Sequence, residues 1–417
     1  MNIKLRLITM SFLQFFVWGA WLITIANYWF GTKHWGPVDF GDIFMTLGLS
    51  SLFMPAITGI IADKWINAER LYGILHLLSG AVVLYIPQIN DPNTFFWWMF
   101  LAMIFYMPTI ALSNSVAYNT LKSNNFDVIK VFPPIRVWGT VGFIAAMWIT
   151  NLTGSKATEF QFYISAAGSI FLGFYSFTLP ACLPNKSAES KSLVEMMGLN
   201  AFKLFKNSKM ALFFLFAMFL GAALQLTNMF GDRFVDNFKE IPKYADLFVV
   251  KYSTIIMSIS QVSETLFILA IPFFLKRFGI KKVMLISMLA WVLRFGLLAY
   301  GNPAEGLWMI IVSCIVYGMA FDFFNVSGSL FVETQTDSKI RSSAQGLFMM
   351  MVNGVGAIIG SFSSGYLIEK FFTNADGSFQ WQGIWLTFAA YAAIIAVLFA
   401  IFFKHKHDRT VELDVKH

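Results

Sequence analysis

The long apolar stretches of this sequence carry a few ionisable residues, namely Arg136, Glu264, Arg294 and Asp322. Within hydrocarbon such a group costs roughly 2.5 to 3.5 kcal/mol on insertion scales, so it persists where it faces a cavity or a partner. Three of the four have company at helical spacing. Arg136, Thr140 and Phe143 fall at i, i+4 and i+7, one stripe of a helix. Gln261 and Glu264 are three apart, as are Gln225 and Asn228, and Tyr317, Phe321 and Asp322 lie within about one turn. Amides and carboxylates of this kind bind hydroxyl groups, and aromatic faces stack on flat rings. The bland alternative is interhelical hydrogen bonding for Thr140, Gln225, Asn228 and Gln261, and plain packing for the aromatics in a chain with 47 Phe. A structural Arg136–Glu264 pair would be a weak fastening, so Arg136, Glu264 and Asp322 read as functional. Arg294, in WVLRFGLLAY, has no second polar residue on its face. It reads as a snorkelling residue or an ion pair at a packing surface, outside the site.

The elements that hold these residues are set by composition. Of 417 residues 57% are hydrophobic and 13% charged, about half the charge of a soluble domain. Segments long enough to span a bilayer run over about 8–30, 40–62, 70–88, 94–118, 126–150, 160–182, 209–230, 249–275, 282–300, 306–329, 343–369 and 380–403. The first follows Lys4 and Arg6, lacks a small-residue cleavage site and is too long for a signal-peptide core, so it reads as an uncleaved span. The expected fold is therefore an all-α polytopic membrane protein of twelve transmembrane helices. It has an N-terminal six-helix half over 1–182, a cytoplasmic central loop over 183–208, a C-terminal six-helix half over 209–404 and a cytoplasmic tail over 405–417.

Loop charge gives an orientation. With both termini cytoplasmic, the inside segments hold 21 of the 30 Lys and Arg and the outside segments 7. The net charge of +7 is spread over those loops, so it reads as a topology signal and excludes a nucleic-acid partner. Cys182 and Cys314 have no metal-ligand spacing, and neither a metal nor a cofactor is expected. Pro133 and Pro134, just before Arg136, should bend or loosen their helix. A weak repeat links the halves: Tyr106 and Asn114 recur 211 residues later as Tyr317 and Asn325.

Two six-helix halves around a cytoplasmic loop are the plan of the major facilitator superfamily, and GIIADKWINAER over 59–70 resembles that superfamily's loop motif, without one of its glycines. FLQFFVWGAWL over 12–22, FPPIRVWGT over 132–140, LFKN over 204–207, QLTNMF over 225–230, IIMSISQVSETLFILAIPFFL over 255–275 and YGMAFDFFNVSGS over 317–329 are very similar to the bacterial nucleoside:proton symporters of that superfamily. The resemblance runs end to end. It implies a cavity lined by Arg136, Thr140, Phe143, Gln225, Asn228, Gln261, Glu264, Tyr317, Phe321 and Asp322, with Glu264, Asp322 and Arg136 as proton-coupling candidates. It also implies purine or pyrimidine nucleosides and protons as partners, alternating access, a monomer and the bacterial inner membrane. The lack of a Walker motif and of an arginine cluster for phosphate fits this reading. The rivals are a sugar:proton symporter of the same superfamily, a multidrug exporter and a non-transporting membrane receptor or enzyme.

Overall fold

A computed structural model describes residues 2–184, 199–337 and 340–405 of the chain. The expected central loop and tail lie partly outside the described residues, over 185–198 and 406–417. Helices make up nearly all of what is described, and the sheet content is one isolated bridge between Thr373 and Phe379. Large apolar side chains such as Trp138, Phe171, Leu269 and Val397 point outward. In a bilayer that exposure costs nothing, while the backbone must satisfy its own hydrogen bonds, and helices do this locally.

Nine helical stretches among the described residues are long and apolar enough to cross a membrane. One of them, Ser253–Tyr300, is interrupted at Gly279, whose φ of 76° suits glycine and turns the chain between two runs. Two further apolar segments fall short of that length. The first breaks into α1 (Ile3–Gly19) and α2 (Ile25–Gly31), and Phe160–Ser176 has 17 residues, roughly 26 Å of helix.

The chain forms two compact units, Met1–Met197 and Gly198–His417. In the first, α3 (Pro37–Lys64), α4 (Ala68–Tyr85), α5 (Pro92–Ser123), α6 (Val128–Leu152) and α7 (Phe160–Ser176) follow the broken first segment. Here α1 lies along α6 and α7, α4 along α5 and α7, and α3 along α5. A buried polar network joins four of these helices. Gln14 Oε1 accepts from the Tyr72 hydroxyl at 2.6 Å and stands 3.0 Å from His76 Nε2, while Gln14 Nε2 donates to Thr109 Oγ1 at 2.9 Å. His76 Nδ1 lies 3.1 Å from Ser169 Oγ. None of these partners is near in sequence, and each satisfies a polar group that would otherwise sit in an apolar bundle.

The second unit comprises α8 (Ser208–Asn237), the short α9 (Phe248–Lys251) and α10 (Ser253–Met257), α11 (Ile259–Tyr300), α12 (Leu307–Gln335), α13 (Arg341–Met349), α14 (Ala357–Phe371) and α15 (Trp381–Phe402). A π-helical segment, Met350–Gly356, joins α13 to α14 and packs on α8. The core holds Phe213 against Phe324, Phe331 and Phe348, at centroid distances of 4.8 to 6.1 Å.

Candidate functional site

In the first unit, Arg136, Thr140 and Phe143 share one stripe of α6, while Val137, Trp138 and Val141 on its other side are exposed. The helix runs on through Pro133 and Pro134, although both lack the amide hydrogen that an interior turn uses. Arg136 is half-buried, with its guanidinium 4.0 Å from the centre of the Phe15 ring, so α1 fixes its direction through a cation–π contact. Phe143 is buried and meets Trp18 edge-on at 6.3 Å, and Trp18 lies 5.9 Å from Tyr106. The Tyr106 hydroxyl donates to the Gln14 carbonyl at 2.7 Å, which ties this aromatic group to the buried network.

The other seven predicted residues belong to the second unit. Gln225 and Asn228 lie on α8, Gln261 and Glu264 near the start of α11, and Tyr317, Phe321 and Asp322 on α12. Tyr317 and Phe321 stack with centroids 6.0 Å apart and planes within 9°, and Trp291 meets Tyr317 edge-on at 5.9 Å. Glu264 and Asp322 act electrostatically on each other and on the Tyr317 hydroxyl, so the structure gathers these three. Gln225 Oε1, Gln261 Oε1 and Asp322 Oδ2 are all buried without a hydrogen-bond partner. Unpaired buried acceptors are costly, and three of the predicted residues carry one.

Close backbone contact makes this arrangement possible. A Cβ on Gly318 would come within 2.6 Å of the Ser263 carbonyl and 2.7 Å of the Glu264 nitrogen. The Ser263 hydroxyl donates to the Ile315 carbonyl, pinning the same crossing. Glycine thus sets the spacing between Glu264 and Tyr317. Gly318→Val is expected to cost about 1 to 3 kcal/mol of stability and to lower substrate affinity more than it lowers expression. Thermal unfolding alongside a binding isotherm checks this, and unchanged affinity would mean that the crossing has no bearing on the site.

One reading from the sequence requires correction. Arg294 neither snorkels nor pairs at a packing surface: it is fully buried, and its hydrogen-bond partners are Thr227, Ser260 and the Ser313 carbonyl. The residues flanking it carry no polar signal because its partners lie 19 to 67 residues away, one of them, Ser260, on α11 but before the Gly279 break. Trp18, Gln14 and His76 were also missed, since a lone aromatic or amide in an apolar run carries no periodic signature.

A family model described as nucleoside H+ symporter matches residues 1–408. The chain belongs to the nucleoside H+ symporter family. Within that family it is 52% identical over 409 residues to the xanthosine permease of Escherichia coli, covering 98% of this chain and 97% of the relative. It is 47% identical over 410 residues to the nucleoside permease NupG of the same organism, covering 98% of each. The crystal structure of a NupG point mutant superposes with a TM-score of 0.94 at 46% identity, covering 97% of this chain and all of that one. This nucleoside H+ symporter family member is accordingly a multi-pass membrane protein, and the relatives it matches are permeases.

Proposed function

We propose that the protein takes up nucleosides together with protons by alternating access. The unpaired buried Oδ2 of Asp322 next to stacked Tyr317 and Phe321 carries this reading, with Gln225 Oε1 and Gln261 Oε1 likewise unpaired, in a chain of the nucleoside H+ symporter family. A nucleoside has a flat base for aromatic faces and ribose hydroxyls for amide and carboxylate oxygens. Gln225, Asn228, Gln261 and Glu264 take the polar contacts, Phe143, Tyr317 and Phe321 the apolar ones, and Arg136 and Thr140 complete the set. Protonation of Asp322 or Glu264 from outside permits substrate binding, and loss of the proton inside resets the carboxylate. Fixed dipoles alone could not couple the two fluxes, because coupling needs a group whose charge changes with the step.

The topology belongs to the same proposal. Splitting Ser253–Tyr300 at Gly279 and adding the broken first segment and Phe160–Ser176 raises nine stretches to twelve spans, six in each half. The halves are 1–182 and 209–404. The excess of basic residues on one side supports cytoplasmic termini, and the proposal includes a monomer in the bacterial inner membrane.

Competition in transport-deficient cells tests the reading. Unlabelled uridine and xanthosine should suppress uptake of labelled nucleoside at least about tenfold better than glucose, sucrose or free nucleobases, given one to two lost hydrogen bonds. Better competition by a disaccharide would favour the sugar:proton symporter instead.

A further inference from the structure

Arg294, on α11 after the Gly279 break, is fully buried in the second unit, where its guanidinium reaches α8, α12 and the run of α11 before that break. Nε donates to Thr227 Oγ1 on α8 at 3.2 Å, and Nη1 donates to the Ser313 carbonyl on α12 at 2.6 Å and to Ser260 Oγ on α11 at 3.5 Å. The guanidinium carbon lies 4.6 Å from the centre of the Tyr317 ring. Nη2 is buried with no hydrogen-bond partner. A charge in this position carries a large desolvation penalty, and neutral partners offset it only in part. Simple fastening of a helix bundle could be done with serine and threonine alone.

The residues it grips stand next to the proposed ligands. Thr227 falls between Gln225 and Asn228 but on the opposite side of α8, since successive residues turn by about 100°. Ser260 precedes Gln261 and lies one turn before Glu264 on α11. Tyr317 is itself a proposed ligand, with the Arg294 guanidinium over its ring, Phe321 stacked on it and Trp291 at its edge. A planar fork can hold acceptors in its own plane while stacking on a ring, which an ammonium on a flexible stem cannot.

We infer that Arg294 is a positioning residue for substrate recognition: its hydrogen bonds to Thr227, Ser260 and the Ser313 carbonyl hold the guanidinium where it fixes the plane of Tyr317. The inference rests on the reading of Tyr317 as a base-stacking residue. It differs from a merely structural role in one respect. The effect of Arg294 on affinity must pass through Tyr317.

A double-mutant cycle in the purified full chain tests it, with uridine and xanthosine binding measured by calorimetry and thermal unfolding recorded for each variant. Arg294→Lys and Arg294→Gln are each expected to weaken binding about tenfold, with the maximal uptake rate in proteoliposomes changing less than the affinity. In the Tyr317→Leu background, Arg294→Lys should cost less than about twofold, because contacting residues couple and independent ones do not. Losses that multiply, or an Arg294→Lys protein with a lowered melting temperature and wild-type affinity, would overturn the positioning role. Arg294→Lys retains the buried charge, so the cycle stands even where Arg294→Gln does not fold. Wild-type affinity in Tyr317→Leu alone would instead overturn the stacking reading, and with it the role of Arg294.

Discussion

Uphill uptake driven by an imposed pH gradient should fall on the order of 100-fold in the double variant Asp322→Asn, Glu264→Gln, while exchange of labelled for unlabelled nucleoside without a gradient persists. Both amides keep the size of the side chain they replace and most of its hydrogen bonding, yet neither can carry a proton. Asp322 is 4% exposed and its Oδ2 has no hydrogen-bond partner, an arrangement that an ionised carboxylate tolerates poorly and a protonated one accepts. Glu264 acts on the same tyrosine and on Asp322 itself, so a change of charge on one is felt by the other. The single variants then separate the proton carrier from its neighbour: the carrier's amide uncouples transport, while the neighbour's amide shifts its pH profile. Uphill, gradient-dependent uptake retained by both single variants and by the double variant would sink proton coupling through this pair.

The second large effect concerns the amides. Gln261→Leu and Gln225→Leu each remove a buried acceptor that has no partner in the structure, so neither should destabilise the fold by more than about 1 kcal/mol. Nucleoside affinity, by contrast, should drop about tenfold to a hundredfold, because a ribose hydroxyl brought against the new leucine loses its acceptor and stays desolvated. Binding of free nucleobases, already weak, should change less. Measuring uridine against uracil in wild-type and variant proteins decides the matter. An equal loss for both would move the amides from ribose to base, and no loss for either would return them to packing.

These expectations draw unequally on sequence and structure. The amino-acid sequence by itself determined the class, because 13% charged residues cannot cover a soluble surface of this size. It also determined which polar residues share a helical face, since spacings of three, four and seven are properties of a single helix. Arg136, Thr140 and Phe143 lie along α6 in that way, as do Tyr317 and Phe321 on α12.

Tertiary structure alone decided whatever depended on partners distant in the chain. Arg294 looked solitary in its own segment, and its partners are 67, 34 and 19 residues away. Gln14 meets His76 across 62 residues and Thr109 across 95, and neither contact leaves a periodic trace in the sequence. The close crossing at Gly318 is likewise invisible until Ser263 and Glu264 are placed against it. Local periodicity fixes which way a side chain leaves its helix, but the burial of a charge and the pairing of an acceptor are settled by which other helix packs there.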